Sequence, residues 1–445
     1  MTESVRFSEW AALDKHTQSI VAATAFDRIR RLEPRLHAFV EIQQPHAGSS
    51  GGDILSHVPY AAKDLFVAPG HRPKGGLAEV LDFGLHGYAD VLRRLDDAGA
   101  CRLGFTTMTE LAYEPSGYNA VSPYPRNPWN PDFITGGSSS GSAVAVASSA
   151  AVIALGSDTG GSVRIPAHCC GVTGWKPTWG VVSAAGAFPL APFLDCVGLF
   201  ARSAADLAPA AALLTAHARS PAPIERVVVM KDALDGAELP LRQACQDCID
   251  AMQTCGIAVS SVAGLPALKV IDAQALLVMQ GEAARIHASR LDHPAISPVL
   301  RKRLAKGLTI DDAALTASRD LRPRLAKDFA EQILGNADAV ILPAMAIRTP
   351  PLVEADPTSP SFSGRRLYEL SGYCRFVNML GFPAIAMPVG FDDRGLPIAL
   401  QIVGRPGRDL DLIALATHVQ KITDWHARVP AGIRDLLGNN TELFA

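Results

Sequence analysis

The chain has 445 residues, is 48% hydrophobic and carries 41 Lys and Arg against 44 Asp and Glu, for a net charge of −3. That length alone suggests roughly two or three domains or one large α/β domain, and the charge balance excludes a broad pull toward nucleic acid or an anionic membrane. No apolar run reaches the roughly 18 residues of a membrane span, and Met1-Thr2-Glu3-Ser4-Val5-Arg6 lacks the order of a secretory signal, so no membrane association and a cytoplasmic location are expected.

Residues 8–32 place apolar side chains at helical spacing, and Glu33-Pro34 is expected to end that helix. Residues 38–42 predict a short strand, and the polar stretch 43–53 a surface loop. Residues 58–62 predict an apolar strand running into Lys63. A helix over 88–98 and a strand over 101–105 make an α/β unit, followed by a loop over 106–119 that carries Glu110, Ala112 and Tyr113. Next come a small-residue helix over 142–149, a buried strand over 152–156, and a helix starting at Ser162 and broken near Pro166. A strand over 197–201 and a helix over 204–216 follow, and Pro221-Ala222-Pro223 is a short break rather than a domain linker.

The second half repeats this alternation. It predicts a strand at 227–230, a helix over 239–254, a strand over 257–262, helices to about 334 and a strand over 339–342. Residues 349–363 hold four prolines and predict an irregular loop. Strands over 384–389 and 398–403 and a helix over 410–422 close the chain. The pattern predicts an α/β fold with a mixed, mostly buried sheet flanked by helices.

Eight cysteines spread over this length read as reduced core residues, including Cys169-Cys170 and the helical Cys245-x-x-Cys248. No His-Glu-x-x-His or comparable set is present, and neither a metal nor a cofactor is expected.

Residues 136–164 concentrate the chemistry: GGSSSGSAVAVASSAAVIALGSDTGGSVR. Two Gly/Ser loops flank one small-residue element. Glycines let backbone amides approach a ligand, and a run of such amides forms a concave donor site for an anion. Serine beside it supplies an oxygen nucleophile that needs a base. The stretch is not a P-loop, and no G-x-G-x-x-G opens a helix. Gly137-Ser138-Ser139-Ser140-Gly141 formally matches G-x-S-x-G, which would make Ser139 the nucleophile of an elbow. The elbow needs a preceding strand, for which only Phe133-Ile134-Thr135 is at hand. A Ser-His-Asp arrangement would draw on a late histidine, His418 or His426. Lys63, at the end of an apolar strand, would lose its charge readily if buried and could then act as a base.

The run from Gly136 through Gly180, ending in RIPAHCCGVTGWKPTWG, resembles the amidase signature family. The resemblance extends to Val58-Pro59-Tyr60-Ala61-Ala62-Lys63-Asp64, to Arg126-Asn127-Pro128-Trp129-Asn130, and to Gly381-Phe382-Pro383-Ala384-Ile385 and Gly395-Leu396-Pro397, and so covers nearly the whole chain. It implies one amidase domain over 1–445, with a helical segment over 1–36, a signature core over 58–216 and a variable, substrate-determining region over 225–335.

It also implies a Ser-cis-Ser-Lys triad falling on Ser162 as nucleophile, Ser138 as proton relay and Lys63 as base. The amides of Thr159, Gly160, Gly161 and Ser162 would form the oxyanion hole. Asp158 and Arg164 would brace the turn, Ala112 would lie near the substrate, and Asp195 matches a recurrent acidic position. The implied activity is hydrolysis of a small carboxamide to an acid and ammonia or an amine through a Ser162 acyl-enzyme. Two alternatives stay open, a biuret- or allophanate-type ureide hydrolase and the A subunit of a glutamine-dependent aminoacyl-tRNA amidotransferase. The expected partner is the small-molecule substrate, without direct nucleic-acid binding, and a homodimer or a small partner protein stays open.

Overall fold

Runs of apolar and small residues four to eight long generate the strands of one mixed sheet. The computed structural model describes residues 7, 10, 13–44, 54–215 and 220–433. Its strands are β1 (Phe39–Ile42), β2 (Pro59–Lys63), β3 (Cys101–Thr106), β4 (Ile153–Asp158), β5 (Thr173–Lys176), β6 (Cys196–Ala201), β7 (Arg226–Met230), β8 (Ala258–Val262), β9 (Ala339–Pro343), β10 (Ala384–Phe391) and β11 (Pro397–Gly404). They form an 11-stranded sheet in the order β1-β3-β2-β4-β6-β5-β10-β11-β9-β7-β8. The inner strands are buried almost end to end, which explains their unbroken apolar sequence: helices cover both faces. Only the edge strand β8 is largely exposed.

Two pairings position the site. β2 runs parallel to β4, with Tyr60 opposite Ile153 and Ala62 opposite Leu155, so Lys63 and Asp158 end at the same rim of the sheet. β4 pairs antiparallel with β6, placing Asp158 opposite Cys196. The helix Ser140–Ala147 lies on this pair, and every one of its residues is buried. Its small side chains permit the close approach: a Cβ on Gly141 would meet the Ala38 carbonyl oxygen at 2.3 Å and the Thr107 nitrogen at 2.7 Å.

Most predicted elements fall within two residues of the observed ones, and the helix Leu239–Thr254 is found at the predicted bounds. Others differ. The first helix spans Lys15–Leu36, opened by Asp14, whose carboxylate accepts the Thr17 amide, and Pro34 sits inside its last turn. A proline there costs one N–H bond, and the helix ends instead at His37 in left-handed geometry (φ 50°). Pro166 likewise does not break its helix, Arg164–Cys170, because it occupies the first turn, where no intrahelical donor is required. That helix begins after Ser162 rather than at it. The strand β5 and the helices Gly364–Leu370 and Arg375–Leu380 carry no periodicity long enough to predict. The polar loop over 43–53, most of residues 1–12, and position 216 lie largely or wholly outside the described residues. Seven of the eight cysteines are buried, Cys245 and Cys248 among them. No helix among the described residues is long and apolar enough to cross a membrane.

Candidate active site

Lys63 ends β2 with no exposed surface. Its Nζ donates to Ser138 Oγ at 2.6 Å and to Ser157 Oγ at 2.8 Å. Burial pushes its ammonium down to about 7, against the opposing pull of Asp195 and Asp158. A lysine held this way is neutral for much of the time near pH 7. Ser138 follows a cis Gly137–Ser138 peptide bond and is itself fully buried. Its carbonyl accepts from the Thr109 amide (3.2 Å) and thereby fastens the Gly/Ser loop to the loop after β3.

The second loop leaves β4 at Asp158 and turns through Thr159, Gly160, Gly161 and Ser162. Asp158 organises it. Its carboxylate accepts the amides of Gly161 (2.9 Å) and Val163 (3.1 Å) and pairs with Arg164 Nη2 (2.8 Å) and Nε (3.0 Å). Burial alone would raise this carboxyl, but the Arg164 guanidinium, together with Lys176 and the Asn378 amide, holds it well below the usual carboxylate range. Arg164 also donates to Gln401 Oε1 and Asn378 Oδ1 (2.6 Å each) and to the Cys374 carbonyl (3.0 Å). The pair is therefore buried and fully hydrogen-bonded, the condition under which an internal charge pair is tolerable.

Of the four amides expected to face an oxyanion, Gly161's is taken by Asp158. The amides of Thr159, Gly160 and Ser162 bond to no acceptor among the described residues. Gly161 has φ 120°, and a Cβ there would meet the Cys374 Cβ at 2.7 Å and Ile165 Cδ1 at 2.9 Å. Thr159 Oγ1 donates to Asp195 (2.6 Å), which also accepts the Leu190 and Ala191 amides. Burial raises the Asp195 carboxyl to about 6.

Ser162, Gly160 and Thr159 line a cleft of about 520 Å³, its open mouth included, with Ala112, Tyr113, Met279, Arg303 and Tyr368 among its other walls. Ala112 is thus placed at the cleft, held in left-handed geometry (φ 61°) beside Leu111. Ser139 is not at the cleft. Its buried hydroxyl donates to the Ser157 carbonyl (3.1 Å) and accepts the Ser157 amide (3.2 Å), which makes it part of the frame of β4. Phe133 forms only an isolated bridge with Pro351, so the strand an elbow requires is missing among the described residues. His418 lies on the exposed side of the closing helix, and His426 is buried away from this cleft.

Sequence reasoning missed Ser157, Asn378, Gln401, Arg375 and Arg303. For Ser157 the one available signal was its place directly before Asp158, and the parallel pairing of β2 with β4 is what brings it to Lys63. Asn378 and Gln401 stand more than 200 residues from Arg164, and only the fold joins them to it.

The family model described as Amidase matches residues 21–413. The A subunit of the Glutamyl-tRNA(Gln) amidotransferase of Nostoc punctiforme is 30% identical over 492 aligned residues, covering 94% of this chain and 97% of that protein. A crystal structure of an amidase superposes with a TM-score of 0.82 at 30% identity, over 91% of this chain and 96% of its own. A 6-aminohexanoate cyclic dimer hydrolase shares the fold at a TM-score of 0.83 and 23% identity, over 94% and 96% of the two chains. A fold, a buried lysine–serine pair and a glycine-rich turn at a cleft thus coincide with a match over most of the sequence, and the chain belongs to the amidase family, as an enzyme that hydrolyses amide C–N bonds.

Proposed function

We propose that the chain hydrolyses a small carboxamide through an acyl-enzyme on Ser162. The observation that carries this reading is the buried contact of Lys63 Nζ with Ser138 Oγ at 2.6 Å, next to the turn that holds Ser162. Ser162 Oγ attacks the amide carbonyl carbon. Its proton passes to Ser138 Oγ as the Ser138 proton passes to neutral Lys63 Nζ, so no charge accumulates on either serine. The carbonyl oxygen gains the negative charge, and the amides of Thr159, Gly160 and Ser162 stabilise it. One such donor is typically worth about 3–4 kcal/mol in the transition state. The C–N bond then breaks, and the amine leaves with a proton returned from Lys63 through Ser138. Water attacks the acyl-enzyme by the same route, releasing the acid and restoring Ser162.

Asp158 and Arg164 hold the turn without touching the substrate, since their polar atoms are engaged with each other, the turn and the 374–378 segment. No step calls for a metal or cofactor. Ammonia release from a panel of aliphatic and aryl amides, glutamine and biuret-type ureides tests the reading. Release must vanish in Ser162→Ala and Lys63→Ala, and release that survives Ser162→Ala but is lost in Ser139→Ala would return the nucleophile to the elbow.

The likeness to amidotransferase A subunits supports a second reading, in which the chain releases ammonia from glutamine within a complex. Robust turnover of simple amides by the isolated chain, with glutamine a poor substrate, would exclude it.

A further inference from the structure

Asp195 stands outside both Gly/Ser loops and reaches the site from the neighbouring strand. β4 and β6 run antiparallel, with Asp158 opposite Cys196. Carried one residue further, that register sets Thr159, the first residue of the turn to Ser162, against Asp195, the residue before β6. The 2.6 Å bond from Thr159 Oγ1 to Asp195 Oδ1 makes this step. Asp195 Oδ2 accepts the amides of Leu190 and Ala191 at 3.0 Å each, and the Asp195 amide donates back to the Ala191 carbonyl at 2.9 Å. One carboxylate therefore ties the turn that holds Ser162 to the segment 190–195. Thr159 and Leu190 both line the Ser162 cleft, so two of its anchors are cleft walls.

This set of partners suits an anion. The two amides can only donate, and the Thr159 hydroxyl donates as well when the carboxyl carries no proton. Burial pushes the carboxyl up to about 6, the hydroxyl and the amides draw it down, and Glu282 pushes it further up. Near neutral pH the anion prevails. Glu282 is itself matched by Arg319 at 2.6 Å. Asp195 makes no ion pair among the described residues, its partners being one hydroxyl and two amides. Its negative charge is felt by Lys63 and by the Cys196 thiol. Two carboxylates favour the Lys63 ammonium, and one of them, Asp158, is neutralised by Arg164 at 2.8 Å. The unmatched one is Asp195. It acts on the amine through the low-dielectric interior rather than by a bond, since Lys63 Nζ donates to Ser138 and Ser157.

We infer that Asp195 is a positioning residue for amide hydrolysis: its carboxylate holds Thr159 and Leu190 in place at the cleft, and its unmatched charge governs how readily Lys63 releases its proton. The role rests on the amide-hydrolase reading of Lys63 and Ser162. Amides that stabilise a developing oxyanion work only if they are in place before the charge appears, and Thr159 is where the turn is pinned from outside. The same charge keeps the buried amine from discharging too completely. An amine that never held a proton could not return one to the leaving group.

The test follows two pH profiles. One is kcat/KM on an amide that the wild-type chain turns over. The other is the rate at which phenylmethylsulfonyl fluoride modifies Ser162, which needs no knowledge of the substrate. Asp195→Asn keeps the shape and removes the charge. Its acid limb should move to lower pH by about half a unit or more in both profiles, because the Lys63 ammonium loses the anion that favours it. Its plateau kcat should fall roughly 10- to 100-fold, with a smaller change in KM, as the turn loses its anchor. Thr159→Val should reproduce that fall, and Thr159→Ser, which keeps the hydroxyl, should recover most of it. An acid limb that stays in place in Asp195→Asn, or a plateau kcat that Thr159→Val leaves intact, overturns the inference while amide hydrolysis stands. If Asp195→Asn does not fold, the two Thr159 variants decide alone. A wild-type chain that neither turns over an amide nor is modified at Ser162 overturns the amide-hydrolase reading and the inference with it.

Discussion

Lys63 Nζ sits 2.6 Å from Ser138 Oγ and 2.8 Å from Ser157 Oγ, with no water-exposed surface of its own. The amine is therefore oriented by two hydroxyls and discharged by burial. On the proposed mechanism Ser162→Ala should lower kcat by more than about 10,000-fold, since it removes the proposed acyl acceptor. Lys63→Ala and Ser138→Ala should each cost roughly 100- to 10,000-fold, the range of a proton-transfer group. Steady-state kinetics with ammonia detection measures all three, and equal losses in the singles and in Lys63→Ala, Ser138→Ala combined would mark them as one relay.

The pH profile follows from the same amine. Its ammonium is lowered to about 7, and only the neutral form accepts a proton. The kcat/KM should rise with pH through an acid limb near 7 and then level off. Stability carries a matching signature. Lys63 binds its proton more weakly when folded than when unfolded, so its contribution rises with pH between about 7 and its ordinary value near 10.5. Denaturant unfolding of wild type against Lys63→Met should show a difference that narrows as pH increases; a pH-independent difference would mean the amine is not discharged.

Ser157→Ala removes one of the two hydroxyls on the amine but leaves Ser138. Activity should fall several-fold rather than vanish, the acid limb should move, and Ser157→Thr should rescue. An unchanged limb with lost activity would assign Ser157 to packing alone.

Asp158→Asn leaves Arg164 buried without its counter-charge, and Arg164→Met does the reverse. Each should cost about 3–5 kcal/mol of stability, seen as a lower denaturant midpoint. Asp158→Asn should also leave either the Gly161 or the Val163 amide facing an NH2 group in place of an acceptor, and slow hydrolysis beyond the loss in folded protein.

Gly161→Ala forces a side chain into positive φ at 120° and against Cys374 and Ile165. Overpacking of this kind typically costs about 1–3 kcal/mol. Because the strain falls between two amides that line the cleft, kcat should drop while a circular-dichroism spectrum stays native.

What the sequence disclosed was local. Ser138 and Ser162 stand in Gly/Ser loops flanking one small-residue element, Lys63 ends an apolar run, and the alternation of apolar runs carried the sheet. The strand β5 escaped because its four residues, Thr173–Lys176, contain a single large apolar side chain. The helix Arg375–Leu380 is under two turns long, too short for a period to register. Asn378 and Gln401 were invisible because only the fold joins them to their partner, a residue of the signature loop.

Arg164 binds Asp158 at the end of β4, Asn378 in the helix Arg375–Leu380, and Gln401 in β11. β4 belongs to one wing of the sheet, and β11 lies across β6, β5 and β10 from it. A single guanidinium thus staples early and late segments of the chain beside the turn that holds Ser162. During folding, the turn can reach its working shape only after the C-terminal strands have docked. Recovery of hydrolysis on refolding should then lag the return of helical signal and coincide with the last tertiary contacts, making turnover a clock for completion of the whole sheet rather than of the signature segment alone.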